Sequence, residues 1–362
     1  MDPRSVFLVA PPGLEAELLA EALTLGVPGP RRVAGGVEVG GGWEAVRRAN
    51  LRSRIASRVL ARLASVRAAG FPQLDAALAA ISWDAVLDPS VPVKVEATAA
   101  RSRLAHGGAV GKRVEAALRA AGYAMGDGIR VLARLERDVC TISVDTSGEP
   151  LHRRGFKLAV NRAPLRETLA SGLLRACGWD GTCPLLDPMC GSGTIPIEAA
   201  EIAAGLDPGR ARRFAFERLR THDAARWDAL RAQDPHVPAV AIHGSDRDAG
   251  AVAMGVENAA RAGVAPVLAH RAVSDLAPPP GGPGLVLTNP PYGERIGGRL
   301  QPLYGALGGA LRARFGGWDV GLVCPDARLV GATGLALEGG PLIAHGGIKV
   351  RLWRGRVPGG AA

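Results

Sequence analysis

Residues 184–200 read PLLDPMCGSGTIPIEAA, and this stretch decides the fold class of the chain. An apolar strand runs into a glycine-rich turn and then into a helix. Further buried strands alternate with helices downstream, in AVAIHGSD (239–246), PVLAHRAV (266–273), GLVLTNPP (284–291) and VGLVCP (320–325). This alternation predicts an α/β domain with a mostly parallel, doubly wound sheet.

The glycine-rich turn predicts a ligand site, because parallel sheets of this type bind ligands at the carboxyl ends of their strands. Glycine lets a ligand approach the backbone closely. A dinucleotide site is disfavoured, because Pro196 occupies the place of the third glycine and the acid Asp187 would repel a pyrophosphate. An acidic strand end suits a cationic ligand without phosphate, such as S-adenosylmethionine. The predicted cofactor contacts in this turn are Asp187, Met189, Cys190, Gly191, Ser192, Gly193 and Thr194.

Two further acids are candidates for the same cofactor. Asp246 ends the second predicted strand and could accept both hydroxyls of a ribose, with Arg247 beside it. Asp248 competes for that role, and a helix N-cap is the alternative role for Asp246. The two motifs are about 60 residues apart, against about 20 in dinucleotide sites, so residues 206–238 are interpreted as an insertion with its own helix. Asp275 is expected to end the third strand and contact the adenine amine, with a solvated loop carboxylate as the alternative.

The motif TNPPYG (288–293) follows a buried strand and indicates chemistry on a base amine. An exocyclic amine is a poor nucleophile because its lone pair is delocalised into the ring. Hydrogen bonds from the amine to fixed acceptors free that lone pair, and the Asn289 side-chain oxygen and the Pro290 carbonyl are such acceptors. Tyr292 could stack on a flipped base. We expect Asn289, Pro290 and Tyr292 to be catalytic and Asn289 also to contact the cofactor. The alternative is a proline-rich turn without a ligand.

Composition and charge restrict the remaining possibilities. The net charge of +10 favours a polyanionic partner, but charge alone does not decide between nucleic acid and other partners. Five cysteines without a C-x-x-C pair disfavour a disulfide framework or a zinc site, and lone histidines lack metal-ligand spacing. The sequence shows no basic residue that could activate Cys190, so we do not expect this cysteine to act as a nucleophile. We expect a cytoplasmic protein without metal, signal peptide, membrane contact or obligate protein partner.

The region before the catalytic part predicts two smaller domains. Residues 1–65 form short strands and helices typical of an α+β unit, and residues 66–153, with a start near 43 as the alternative, combine a helix with a strand hairpin at 129–147. The third domain is residues 154–362. The predicted RNA contacts are Arg101, Arg103, Lys112, Arg113, Arg153 and Arg154.

The ordered motifs LHRRGF (151–156), APLRETLASGLL (163–174), DPMCGSGTIPIEAA and TNPPYGERIG, with LYGALGGALRARFGGW (303–318), resemble the THUMP-domain RNA guanine-N2 methyltransferases. The likeness is greatest to the bacterial 23S rRNA enzymes that are often fused to a second methyltransferase domain. It implies a ferredoxin-like domain, a THUMP domain and a Rossmann-like catalytic domain that uses S-adenosylmethionine and releases S-adenosylhomocysteine. It also implies that the first two domains bind folded RNA and deliver a guanine.

Two departures from the fused forms affect this expectation. Because the sequence stops soon after Trp353, we expect the second methyltransferase domain of the fused forms to be absent. A related subgroup methylates tRNA guanine, which leaves rRNA and tRNA both open. Two rival functions remain: a DNA adenine-N6 methyltransferase, since NPPY occurs there too, and a non-catalytic RNA-binding assembly factor. The motif order disfavours the first, and the intact glycine and NPPY motifs disfavour the second.

Overall fold

The computed structural model describes residues 1–104, 106–158, 165–232, 235–292 and 300–359. The strands are β1 (Ser5–Val9), β2 (Arg31–Val33), β3 (Gly36–Val39), β4 (Arg58–Arg67), β5 (Val93–Ala100), β6 (Ile129–Glu136), β7 (Val139–Asp145), β8 (Leu185–Asp187), β9 (Ile242–Asp246), β10 (Val267–His270), β11 (Leu285–Thr288), β12 (Asp319–Cys324), β13 (Glu338–His345) and β14 (Ile348–Arg356). The helices are α1 (Glu15–Ala22), α2 (Gly42–Arg52), α3 (Phe71–Ala79), α4 (Gly107–Ala120), α5 (Glu167–Ala176), α6 (Thr194–Ala203), α7 (Ala224–Arg231), α8 (Ala249–Ala262), α9 (Gln301–Arg314) and α10 (Ala327–Gly331).

The chain forms two compact units. The first contains residues 1–10, 18–151 and 212–232, and the second contains the described residues within 11–17, 152–211 and 233–362. The predicted insertion at 206–238 does carry its own helix, α7, and its central part belongs to the first unit. There Trp227 meets Phe214 and Phe216 edge to face, with ring centroids 5.7 and 5.0 Å apart. Such aromatic pairs stabilise a small cluster beyond the area that they bury.

The first unit is built on one seven-stranded sheet with the order β2-β3-β1-β4-β7-β6-β5. Its strands pair antiparallel except for β5 and β6. On one face of β4, Val59, Ala61 and Leu63 are buried, and α2 and α3 pack on this strand. Leu60, on the opposite face, is buried as well.

The hairpin predicted at 129–147 is confirmed as β6 and β7. Its two turn residues, Arg137 and Asp138, have φ angles of +51° and +60°. A two-residue hairpin turn with positive φ at both positions matches the twist of the strands that it joins. The predicted division at residues 65/66 falls inside β4, which pairs with β1 on one side and β7 on the other. The THUMP boundaries therefore stay a prediction.

The second unit contains the doubly wound sheet that the sequence predicted, with the order β10-β9-β8-β11-β12-β14-β13. The first five strands run parallel, and β14 and β13 add an antiparallel edge. Its core includes Tyr304, Phe315 and Trp318, which pack with the apolar side chains of β11 and β12. This is the Rossmann-like arrangement that the sequence predicted. No helix in the described part of the chain is long and apolar enough to span a bilayer.

A buried ion pair connects the start of the second unit to α6. Arg154 Nε donates to Glu198 Oε1 at 3.0 Å, and both side chains are almost completely shielded from solvent, at 1% and 0% exposure. The Ser171 hydroxyl also donates to Glu198. Removing one partner of such a pair would leave a buried charge uncompensated. The prediction that Arg154 contacts RNA is therefore wrong, because a side chain in this position cannot reach a phosphate.

Candidate active site

The candidate site lies where β8, β9 and β11 end side by side. Asp187 ends β8, Asp246 ends β9, and Asn289 follows the last residue of β11. The strands are neighbours in the sheet and run parallel. Their carboxyl ends therefore meet at one edge, as the sequence predicted for the ligand site.

Backbone hydrogen bonds hold the glycine-rich turn against the end of β9. Cys190 N donates to Ser245 O and Gly191 N donates to Asp246 Oδ2, both at 2.9 Å. Within the turn, Met189 N donates to Asp187 Oδ1 at 3.1 Å. Hydrogen bonds from the ends of two strands thus fix the turn.

The two glycines of this turn have different surroundings. Both have positive φ angles, +52° for Gly191 and +85° for Gly193, a region that favours glycine. A Cβ on Gly191 would meet no described atom within 4 Å, whereas one on Gly193 would lie 3.3 Å from Gly255 Cα in α8. Gly191 therefore faces open space that a ligand could occupy, and Gly193 allows two backbones to pack closely.

Two residues that the motifs did not indicate support the turn and the helix after it. Asn258 in α8 is fully buried and its Nδ2 donates to Ser192 O at 3.2 Å. Lys157 Nζ donates to Thr194 Oγ1, in the first residue of α6, at 2.7 Å. The burial period of α8 could have marked Asn258 as inward-facing. Lys157 carries no signal beyond its place next to the quoted LHRRGF segment.

Asp187 is buried, and its main interactions among the described residues include no cationic group. Burial raises its pKa to about 7, the neighbouring Thr288 side chain and the hydrogen bond from Met189 N oppose the rise, and the nearby negative charge of Asp246 adds to it. The carboxyl is thus poised between its neutral and charged forms near neutral pH. A cationic ligand would favour the charged form.

The structure distinguishes Asp246 from its competitor Asp248. Asp246 is half-buried and accepts hydrogen bonds from Gly191 N through one oxygen and from Asp248 N, at 3.0 Å, through the other. Asp248 is the N-cap of α8, with Oδ1 accepting from Gly250 N and Ala251 N. The capping role that was the alternative for Asp246 therefore belongs to Asp248. Arg247, between them, is exposed.

The expectation that Asp275 ends the third strand is wrong. Strand β10 ends at His270, and Asp275 lies in a short 3₁₀ turn at Val273–Asp275. Its side chain is exposed, and its Oδ1 accepts a hydrogen bond from the Ser274 hydroxyl at 3.1 Å. Because a loop connects the strand to this turn, strand position alone does not bring Asp275 to the site. Its contact with adenine stays a prediction.

The Asn289–Tyr292 segment follows β11 directly. Asn289 Oδ1 is buried and has no hydrogen-bond partner within the described ranges. The Pro291 carbonyl is occupied, since the buried Tyr304 hydroxyl donates to it at 3.2 Å. Tyr292 is half-buried against the core of the second unit, and burial raises its pKa to about 12. Gly293, the last residue of the motif, lies outside the described residues.

Two parts of the chain match models of known protein families. Residues 154–334, half of the chain, match the model of the RMKL-like methyltransferase domain, and residues 5–60 match the RlmL ferredoxin-like domain. The chain belongs to the RMKL-like methyltransferase family.

Curated relatives of the chain are named ribosomal RNA large subunit methyltransferase K/L. The protein from Syntrophotalea carbinolica is 34% identical over 378 residues, which cover 97% of this chain and 53% of the relative. The protein from Psychromonas ingrahamii is 32% identical over 355 residues, covering 91% and 47%. The chain spans about half the length of these relatives.

Solved structures share the complete fold. A protein from Listeria monocytogenes, described as a predicted N6-adenine-specific DNA methylase, has a TM-score of 0.86 at 28% identity and covers 99% of this chain and 97% of its own. A methyltransferase in complex with S-adenosylhomocysteine has a TM-score of 0.86 at 24% identity, with each chain covered completely. At 24% identity, the likeness to this methyltransferase supports the fold alone.

The predicted RNA contacts of this RMKL-like chain lie on exposed positions, apart from Arg154. Arg101, Lys112 and Arg153 are exposed. Arg103 is 3.7 Å from Asp138, and Arg113 pairs with Asp75 at 2.6 Å and lies over the Phe71 ring. Exposed arginines paired in this way keep further N–H groups for a phosphate.

The residues at the strand ends fit S-adenosylmethionine. Open space faces Gly191, an acid with a raised pKa stands at the end of β8, and a second acid ends β9 beside the turn. Acids at these positions suit a cationic ligand with a ribose, and they would repel a pyrophosphate. In the described part of the chain, His, Cys, Asp and Glu side chains form no group of three that could hold a metal ion.

Proposed function

We propose that the chain transfers a methyl group from S-adenosylmethionine to the exocyclic N2 amine of a guanine in structured RNA, with 23S rRNA as the substrate. The observation that carries the proposal is the buried, unpartnered Asn289 Oδ1 at the end of β11, next to the glycine-rich turn. A buried acceptor without a partner is costly in a folded protein, and function is one reason to retain it. A base amine is a donor that satisfies it.

The protein residues act mainly by positioning. S-adenosylmethionine, when bound, supplies an electrophilic methyl group on a sulfonium centre. Asn289 Oδ1 and the Pro290 carbonyl accept hydrogen bonds from the amine and localise its lone pair on nitrogen. The Tyr304 hydroxyl holds the Pro291 carbonyl, so the loop presents its acceptors without having to rearrange during the reaction. After transfer the nitrogen has become acidic, and its surplus proton passes to solvent water.

The cofactor contacts follow from the turn. Asp187, Met189, Cys190, Gly191, Ser192, Gly193 and Thr194 form the segment along which the methionine part would lie, and Asp246 would receive the ribose. Burial raises the pKa of the Cys190 thiol far above neutral pH, so this cysteine stays protonated and takes a packing role. Arg247 and Asp275 are kept as lower-ranking contacts because both are exposed.

An RNA substrate is supported by the names of the relatives and by the charge of the chain. The ferredoxin-like domain and the predicted THUMP domain would hold folded RNA through Arg101, Arg103, Lys112, Arg113 and Arg153. A net charge of +10 favours such a partner at a distance. We place the reaction in the cytoplasm, where rRNA and tRNA are both available.

The test is methyl transfer by the purified protein with isotopically labelled S-adenosylmethionine. Unmodified 23S rRNA, unmodified tRNA and duplex DNA are supplied separately, and the modified nucleosides are identified by mass spectrometry. We expect N2-methylguanosine in 23S rRNA. N2-methylguanosine formed in tRNA alone would replace the rRNA assignment, N6-methyladenine in DNA would overturn the assignment to guanine N2 in RNA, and absence of label in all three would overturn the function.

A further inference from the structure

Lys157 lies outside the turn that the sequence marks as the cofactor site, yet its ammonium group reaches that turn. Nζ donates to Thr194 Oγ1 at 2.7 Å and to the Leu165 carbonyl at 2.9 Å. It also lies 3.3 Å from Glu167 Oε1, and the side chains of Lys157 and Glu167 are only 8% and 7% exposed. A lysine that is shielded to this degree is held in one place and cannot move freely in solvent.

The direction of the Lys157–Thr194 hydrogen bond determines what the Thr194 hydroxyl can do. An ammonium group donates and never accepts, so Thr194 Oγ1 must be the acceptor in this contact. The hydroxyl hydrogen therefore points away from Lys157. In the described part of the chain Thr194 Oγ1 has this single side-chain partner, which leaves its hydrogen available for an acceptor in the turn.

Charge at this end of the turn is opposite to that at the other end. Asp187 and Asp246 stand at the ends of β8 and β9 and are acidic. Among the described residues, Glu167 is the acid in contact with Lys157, at 3.3 Å. The ammonium group lies 2.7 Å from Thr194 Oγ1 and so places a positive charge directly behind this hydroxyl. An anionic group entering the turn would be repelled at the Asp246 end and attracted at the Thr194 end.

We propose that Lys157 and Thr194 form the subsite for the carboxylate of the cofactor's methionine part. The Thr194 hydroxyl donates to the carboxylate, and Lys157 acts as a positioning residue that orients this hydroxyl and places a positive charge 2.7 Å behind it. A charged donor network of this kind gives stronger hydrogen bonds than neutral groups do. The inference rests on the proposed use of S-adenosylmethionine and adds which residues recognise its amino-acid end.

The experiment compares two ligands that differ by the carboxylate alone. Binding of S-adenosylhomocysteine and of its decarboxylated analogue is measured by calorimetry with the whole chain. We expect the wild-type protein to prefer S-adenosylhomocysteine. Lys157→Met and Thr194→Val should each weaken S-adenosylhomocysteine binding roughly tenfold or more, and should change binding of the decarboxylated analogue by less than about threefold. Lys157→Arg should retain part of the preference.

Two further variants keep the test decisive. Lys94→Met removes a half-exposed lysine paired with Asp127 and should leave both affinities unchanged. Glu167→Gln removes the acid and keeps the lysine, so the preference for S-adenosylhomocysteine should persist even if Lys157→Met folds poorly. Equal losses for both ligands in Lys157→Met, or loss of the preference in Glu167→Gln, would overturn the subsite. Failure of the wild-type protein to bind either ligand would instead overturn the proposed cofactor.

Discussion

Asp246 Oδ2 accepts a hydrogen bond from Gly191 N at 2.9 Å and thereby joins the end of β9 to the turn after β8. The same carboxylate accepts from Asp248 N through its other oxygen at 3.0 Å. The two oxygens of one side chain thus hold the backbone of both segments beside the proposed ribose site. An acid already fixed in this way can receive a ligand hydroxyl without further ordering.

Asp246 and Asp248 provide a matched pair of variants. Asp246→Ala removes the acceptor for Gly191 N and the proposed ribose contact, so S-adenosylhomocysteine binding should weaken by roughly 1.5–3 kcal/mol. Asp248→Ser keeps an oxygen at the N-cap of α8 and should change binding little, because serine caps helices about as well as aspartate. Calorimetric titration of both variants is the measurement. Similar losses of affinity in both variants would show that the two acids affect binding only by holding the loop, without a direct ribose contact from Asp246.

Gly191 and Gly193 should respond differently to a larger side chain. Gly191→Val places atoms in the open space beside the turn and should cost at least ~2 kcal/mol of S-adenosylhomocysteine binding. Gly193→Val forces side-chain atoms against α8 and should lower the stability of the fold more than Gly191→Val does. Both carry the strain of a positive φ angle, about 1–2 kcal/mol, so each variant controls for the other. Thermal denaturation and calorimetry separate the effects, and unchanged affinity in Gly191→Val contradicts the ligand assignment.

The pKa of Asp187 predicts a pH dependence with a definite sign. Its folded-state pKa is raised to about 7 from an ordinary value of 3.8, so the folded protein holds a proton that the unfolded chain releases. The associated stability is present below about pH 4 and is lost as pH rises towards about 7, with a limit of about 4 kcal/mol. Asp187→Asn should remove this decrease in the free energy of unfolding with rising pH. Urea denaturation between pH 5 and pH 8 measures the difference, and parallel pH profiles for both proteins would contradict the raised pKa.

The basic positions of the first unit predict the salt dependence of RNA binding. The double variant Arg101→Gln with Lys112→Gln removes two exposed cations and should reduce the slope of log K against log salt by roughly 1.5–2. The control double variant, Arg213→Gln with Arg226→Gln, removes two other exposed cations, 90% and 71% exposed, that lie outside the predicted set. Filter binding of 23S rRNA fragments over a salt series checks this. An equal change in both variants would mean that the charge acts nonspecifically.

Much of the second unit could be predicted because its sequence signals are local. A run such as LLD followed by glycines and an apolar helix specifies a strand, a turn and a helix within 20 residues or so. Asp187, Asp246 and Asn289 were placed at strand ends by the same logic. Asp275 was misplaced because the chain leaves β10 at His270 and makes a separate turn, and nothing in AVSDLAP marks where the strand stops.

Contacts between distant segments could not be predicted from the sequence alone. Arg154 resembles any other arginine in a basic segment, and its pairing with Glu198 depends on how the segment packs under α6. The contact of Lys157 with Thr194 has the same origin. The strand β2 and helix α3 were also missed, because a three-residue strand and a short helix give too few positions for a period to emerge.

The most direct test of the central claim concerns Asn289, whose buried oxygen is proposed to activate the base amine. Single-turnover methylation of unmodified 23S rRNA is measured for wild-type protein and Asn289→Ala, with S-adenosylhomocysteine affinity measured in parallel. An acceptor that acts in the transition state affects turnover more than binding. Asn289→Ala should therefore slow methyl transfer roughly 10²–10³-fold and leave cofactor affinity nearly unchanged. A single-turnover rate equal to that of the wild-type protein would contradict the account.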